Sequence, residues 1–148
     1  MPTEPHAELT AMARASMPFA EVLEIDIVSG TADEVVGAVA WAQEHCTLGD
    51  ALHGGFLMAV ADSVGAILAF LNLPTGATTT TIESKTNFFR AVQRQDMTFR
   101  SLPVHVGRTM IVVQTDGFRA DGKLATRTVQ TQTIQHSPRN EETHDRYS

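Results

Sequence analysis

The sequence predicts an α+β fold in which an antiparallel β-sheet wraps one long central α-helix. Three observations carry that expectation. From Phe56 to Leu71 the only polar side chains are Asp62 and Ser63, so the segment reads as a helix enclosed by the rest of the fold. A hairpin pattern precedes it, and four strand-like runs follow it. A single very apolar helix between a hairpin and a four-strand meander has to be covered by that sheet.

Taken in order, residues 1–8 are polar and read as disordered, and Glu8 to about Ser16 reads as a short helix ended by Pro18. Val22 to Val28 alternates apolar and acidic residues with period two, the pattern of a half-buried strand. Ser29 to Asp33 is a turn, Val35 to Trp41 the antiparallel partner, and Gln43 to Asp50 a loop. His53-Gly54-Gly55 opens the long helix, and Asn72 and Pro74 stop it. After Gly76, Thr78 to Phe89 is β-branched and aromatic, and further strands are expected at about 95–105, 109–119 and 123–135. Pro103 makes the first of these irregular or places it at an edge. Gly107 marks the next connection, and Asp121-Gly122 is a tight hairpin signal. In the last run Thr and Gln occupy both faces, so only strand propensity supports it and its register stays open. Residues 136–148 read as a flexible polar tail.

The 148 residues, 43% apolar and 19% charged, fit one soluble domain with a real core. Met1 to Glu8 is acidic and polar, so no secretory signal is expected. The long apolar stretch approaches the length of a membrane span. An Asp near its middle would cost about 2.5–3.5 kcal/mol in a bilayer, though, and no basic residues flank it, so no membrane is expected. One cysteine, Cys46, excludes an internal disulfide and suits a reducing cytoplasm. The six histidines show no metal-ligand spacing, so no metal site is expected.

The net charge of −6 is unevenly spread: residues 1–84 carry −10, residues 85–127 carry +5 and residues 128–148 carry −1. Nucleic acid is a poor partner for so acidic a chain. The basic segment fits a small anionic ligand, docking between the protein's own halves, or scattered surface charge.

Several residues carry a resemblance to a known family. They are Leu52-His53-Gly54-Gly55 with Asp62 nine residues after the histidine, Met17-Pro18-Phe19 before the first strand and Asn87-Phe88-Phe89-Arg90-Ala91. Gly107-Arg108 and Asp121-Gly122-Lys123-Leu124-Ala125 complete the set. With these in order, the chain resembles the hotdog-fold acyl-CoA thioesterases, in particular their phenylacetyl-CoA thioesterase-like branch. The likeness implies a hotdog domain over residues 17–135, preceded by a tail and short helix over 1–16 and followed by the tail over 136–148. It also implies an acyl-CoA substrate, no separate cofactor and a homodimer with shared sites, with pairing into tetramers left open. One departure stands out: where relatives often carry Asn or Gln six residues before the histidine, this chain has Thr47.

The residues support the same chemistry. Unpaired N–H groups at a helix start, with glycines that let a ligand approach, suit an oxyanion hole; the resemblance assigns that donor to Gly54, with Gly55 and His53 beside it. Asp62 lies eight residues on, about 12 Å along a helix rising 1.5 Å per residue. One carbonyl carbon cannot contact both groups on one helix. If both act on one thioester, Gly54 and Asp62 come from different chains across a two-fold axis. Asp62 then serves as general base or as nucleophile. Ser63 and Thr81 (or Thr80) are candidates to hold water or Asp62, and His53 reads better as a turn-former than as an acid or base. Arg90, Arg108 and Lys123 are the candidates for the coenzyme A phosphates. Two other readings stand beside hydrolysis. One is a non-catalytic acyl-CoA-binding protein; the other, a hotdog hydratase or dehydratase, lacks its Asp-x-Asn-Pro-x-His run here.

Overall fold

The computed structural model describes residues 4–137. Its elements are α1 (Ala7–Ser16), α2 (Pro18–Val22), β1 (Asp26–Gly30), β2 (Val35–Val39), α3 (Gly54–Leu71), β3 (Thr78–Phe88), β4 (Met97–Val106), β5 (Met110–Arg119) and β6 (Leu124–Gln135). The six strands form one antiparallel sheet in the order β1-β2-β4-β5-β6-β3. Helix α3 packs across β2, β4, β5, β6 and β3. The expected α+β architecture, a sheet curled around one long helix, is present.

Three expectations need correction at their edges. The period-two run from Val22 does not begin a strand: Pro18 starts the short helix α2 instead, and Glu24 at φ 54 turns the chain so that β1 begins at Asp26. The N-terminal stretch is ordered earlier than its composition suggests. The His6 N–H bonds to Ile27 O and its ring accepts from Leu9 N, capping α1. Residues 1–3, and the polar tail from 138 onward, lie outside the described residues. Finally, α3 is enclosed on one side only. Phe56, Leu57, Val60, Val64 and Leu68 are buried, whereas Met58, Phe70 and Leu71 are exposed. By length and composition α3 could cross a membrane, yet half of it is buried inside this fold.

The sheet carries two irregularities. At Pro103 the pairing with β5 shifts register, and this stretch of β4 extends past its last pairing with β2, Ser101 opposite Val35. Pro103 is therefore irregular and, on its β2 side, at a local edge, the kind of position that tolerates a residue without an N–H. In β3 the register shifts between Thr81 and Glu83, leaving Ile82 bulged out and 60% exposed. A bulge moves the inward face by one residue. Thr79 and Thr81 point inward before it, and Thr86 and Phe88 after it, as their contacts show. That switch puts Thr81 beside the middle of α3 and Phe88 beside its start.

Half of the eight bases in the basic segment pair with the protein's own acids. Arg94 pairs with Asp50 and Arg100 with Glu34, joining the two halves; Arg127 pairs with Asp116 and Arg119 with Asp121. Arg119, at the base of the β5–β6 turn, also bonds Ala91 O, and Gly122 completes the turn at φ 80. The Arg119 guanidinium, bonded to Asp121, holds that carboxyl down at about 2. Because this value lies below the unfolded carboxylate value, the pair contributes at all pH above the ordinary range and its contribution is lost as pH falls through about 2. Carbon-13 titration of Asp121 is expected to give that low midpoint, and Arg119→Gln to raise it toward the ordinary carboxylate range. An unchanged midpoint in the variant would refute the pairing.

Candidate active site

The start of α3 is built by the loop before it. His45 O accepts from the His53 N–H, Leu52 N–H bonds Val92 O, and the His45 ring stacks on Phe56 at 4.3 Å. His53 is the N-cap: its Nδ1 accepts the Gly55 N–H at 2.8 Å. That bond takes Gly55 out of the pool of free donors. The Gly54 N–H has no protein acceptor among the described residues, and it lies at the positive end of an 18-residue helix. Gly54 lines a cleft of about 350 Å³ together with Leu52, Leu57, Phe88, Arg90 and Val92. A Cβ at Gly54 would lie 3.3 Å from the Phe88 ring, so the glycine also admits this close contact.

Asp62, half-buried, is held from the sheet side. Gln130 Nε2 donates to its Oδ1 at 2.9 Å, and Thr81 Oγ1 donates to the same oxygen at a long 3.4 Å. Gln132 Nε2 in turn donates to Thr81 Oγ1 at 2.7 Å. Oδ2 has no protein partner among the described residues. Thr81 rather than Thr80 is the strand residue that faces the carboxylate.

The other expected site residues fall into separate places. Thr47 is exposed in the loop on the Gly54 side, its N–H bonded to Ala51 O, and it makes no contact with Asp62 of its own chain. Ser63 is not brought to Asp62: it is buried and its hydroxyl donates back to Ala59 O within the helix. Arg90 and Lys123 share the Gly54 end of the sheet, the Arg90 guanidinium donating to Leu124 O. Arg108 precedes β5 and Lys123 follows it, so about 30 Å of strand separates them. One protomer cannot present both to one ligand. Lys85, Arg90, Arg108 and Lys123 are the bases of residues 85–127 that form no ion pair among the described residues.

The contacts around Asp62 include two residues that the sequence reading left without a role. Residues 126, 128, 130, 132 and 134 of β6 all point inward, so the last strand does have a period-two face, made of Thr, Thr, Gln, Gln and Ile. Its polarity masked its periodicity. The available signal was a buried carboxylate in search of donors, with amides spaced two apart on a strand to supply them.

The sequence profile of the thioesterase superfamily matches residues 49–126, from the loop before α3 into β6. The chain belongs to the thioesterase superfamily. A protein of Saccharolobus solfataricus assigned as an esterase is 30% identical over 122 residues, covering 82% of this chain and 84% of its own. Among solved structures, thioesterase HI1161 of Haemophilus influenzae superposes with a TM-score of 0.82 at 23% identity, over 94% of this chain and 96% of its own. A mutant of the phenylacetic acid degradation protein PaaI of Thermus thermophilus gives 0.71 at 24% identity, over 78% and 97%. These two likenesses show the hotdog fold. Membership in the thioesterase superfamily identifies an enzyme with thioesterase-type activity.

Proposed function

We propose that this protein hydrolyses the thioester of a small or medium acyl- or aroyl-coenzyme A. The observation that carries the reading is the separation of two half-sites on α3: a free N–H at Gly54 beside the cleft, and eight residues on a carboxylate anchored through one oxygen. The Gly54 N–H would polarise the thioester carbonyl and stabilise the oxyanion formed on it. Asp62 would act through Oδ2 in one of two ways. As a general base it takes a proton from water, whose oxygen attacks the carbonyl carbon. As a nucleophile it forms an acyl-aspartyl anhydride that water then cleaves. Either way the C–S bond breaks and coenzyme A leaves as its thiolate.

The two halves meet when a second copy completes the site. Strand β3 is a long edge strand whose outer flank pairs with no other strand among the described residues, the kind of edge that recruits another strand. Within one copy Asp62 neighbours Thr81 and Gly54 neighbours Phe88. Antiparallel pairing of β3 with the partner's β3, about a two-fold near Ser84, brings the Asp62 end of one copy against the Gly54 end of the other. The same operation brings Thr47 toward the partner's Asp62, and Arg108 onto the side carrying the partner's Arg90 and Lys123, which would then face the coenzyme A phosphates. No metal or separate cofactor enters this scheme, and a cytoplasmic location matches its substrate.

The test is hydrolysis of a panel of acyl- and aroyl-coenzyme A thioesters with free-thiol detection, alongside sizing of the protein in solution. Thiol release and a dimer or tetramer are expected. Binding without turnover of any thioester would favour an acyl-CoA-binding module, and a stable monomer would defeat the shared site.

A further inference from the structure

Beneath Asp62 the sheet is lined with amides and hydroxyls where a helix contact ordinarily finds hydrocarbon. Gln130 and Gln132 are each 1% exposed, and Ser101, Thr115 and Thr128 are also buried. A buried primary amide is costly unless its hydrogen-bonding groups are met. Here both amide nitrogens are spent on the carboxylate, one directly and one through Thr81. The far end of the second arm lies against Thr79, whose single hydroxyl proton is shared between Thr133 O at 2.8 Å and Gln132 Oε1 at 3.1 Å. Gln130 reaches Asp62 only because α3 has a notch: a Cβ at Gly65 would lie 2.1 Å from Gln130 Oε1. That oxygen is buried without a partner among the described residues, so the packing at this point serves the nitrogen rather than the amide as a whole.

We propose that Gln130 is a positioning residue for Asp62, with Gln132 acting through Thr81 as a second arm and Gly65 as the notch that admits the amide. The proposal rests on the reading of Asp62 given above. A carboxylate on a half-open helix face turns freely about its side-chain torsions. Two donors converging on Oδ1 stop that rotation and leave Oδ2 directed at the substrate. The Gln130 bond is charge-assisted and therefore the stronger of the two. Positioning of this kind acts on the chemical step and not on the binding of coenzyme A, whose candidate contacts lie at the ends of the sheet.

Gln130→Met tests this by keeping the length and volume of the side chain while removing the donor. Turnover (kcat) is expected to fall about 10- to 100-fold with KM nearly unchanged, the size of effect expected for one lost charge-assisted hydrogen bond. Gly65→Ala, which favours helix in itself, is expected to displace the Gln130 amide and lower kcat in the same way, with some loss of thermal stability because the displaced amide stays buried. In an Asp62→Asn background, Gln130→Met is expected to add no further loss, because the two residues act as one unit. Wild-type kcat in Gln130→Met, or full additivity with the residual turnover of a strongly impaired Asp62→Asn, overturns the role of Gln130 and leaves that of Asp62 standing. Substantial activity in Asp62→Asn alone overturns the reading beneath it instead. If Gln130→Met does not fold, kcat of Gly65→Ala decides the matter.

Discussion

Asp62→Asn is expected to reduce kcat for thioester hydrolysis by about 10²- to 10⁴-fold, the span measured for loss of a positioned acid–base group. The substitution is nearly isosteric, and its amide oxygen can accept the same two hydrogen bonds that Gln130 and Thr81 give to Oδ1. The group that changes is the one at Oδ2, which turns from a proton acceptor or nucleophile into an amide donor. The fold has no reason to suffer, because Asp62 makes no ion pair among the described residues and is the single charge on α3. Removing a half-buried charge from an apolar helix is expected to leave the thermal midpoint equal or higher. Thiol release at saturating substrate, measured beside a thermal melt, separates the two roles. Lost stability with proportionate loss of activity would make Asp62 a structural residue, and wild-type turnover would remove it from the chemistry.

The sequence announced the centre of this fold because its strongest signals lie there. An 18-residue apolar helix opened by His-Gly-Gly and interrupted by a lone carboxylate has few bland explanations. The Asp121-Gly122 turn and the β-branched runs likewise place β3 to β6 within a residue or two of where they form. Legibility failed where the relevant force is tertiary. Val22 to Val28 alternates like a strand, but Pro18 and the positive φ at Glu24 divide it among the end of a helix, a turn and the first residues of β1. In β6 the pattern was present but written in polar residues, since the inward-facing Gln130 bonds Asp62 and Gln132 bonds Thr81. Arg90, Arg108 and Lys123 were candidates by position in the sequence alone, and β5 separates Arg108 from Lys123 within one protomer.

A heterodimer made from Gly54→Pro and Asp62→Asn subunits is expected to regain activity that both parent homodimers lack. Gly54 is the first residue of α3, the helical position that best tolerates proline. His53 before it has φ −64 and ψ 137, the extended geometry that a following proline requires. The substitution therefore deletes one N–H while keeping the helix start, and Gly55 cannot replace the donor because His53 Nδ1 occupies its N–H. Loss of an oxyanion donor is expected to cost about 10²- to 10³-fold in kcat. Gly54→Ala supplies the control: it makes the same approach to Phe88 yet retains the N–H, so its loss is expected to be much smaller. In the heterodimer, the site formed by the two altered groups is doubly defective. The other site joins the unaltered Gly54 of the Asp62→Asn chain to the unaltered Asp62 of the Gly54→Pro chain. Heterodimer isolated through two different affinity tags should then show about half the wild-type turnover, one working site of two. If each chain carried its own complete site, every site in the mixture would contain one defect and no activity would return. The 12 Å between the two groups on one helix, about eight residues at 1.5 Å each, makes restoration the expected result.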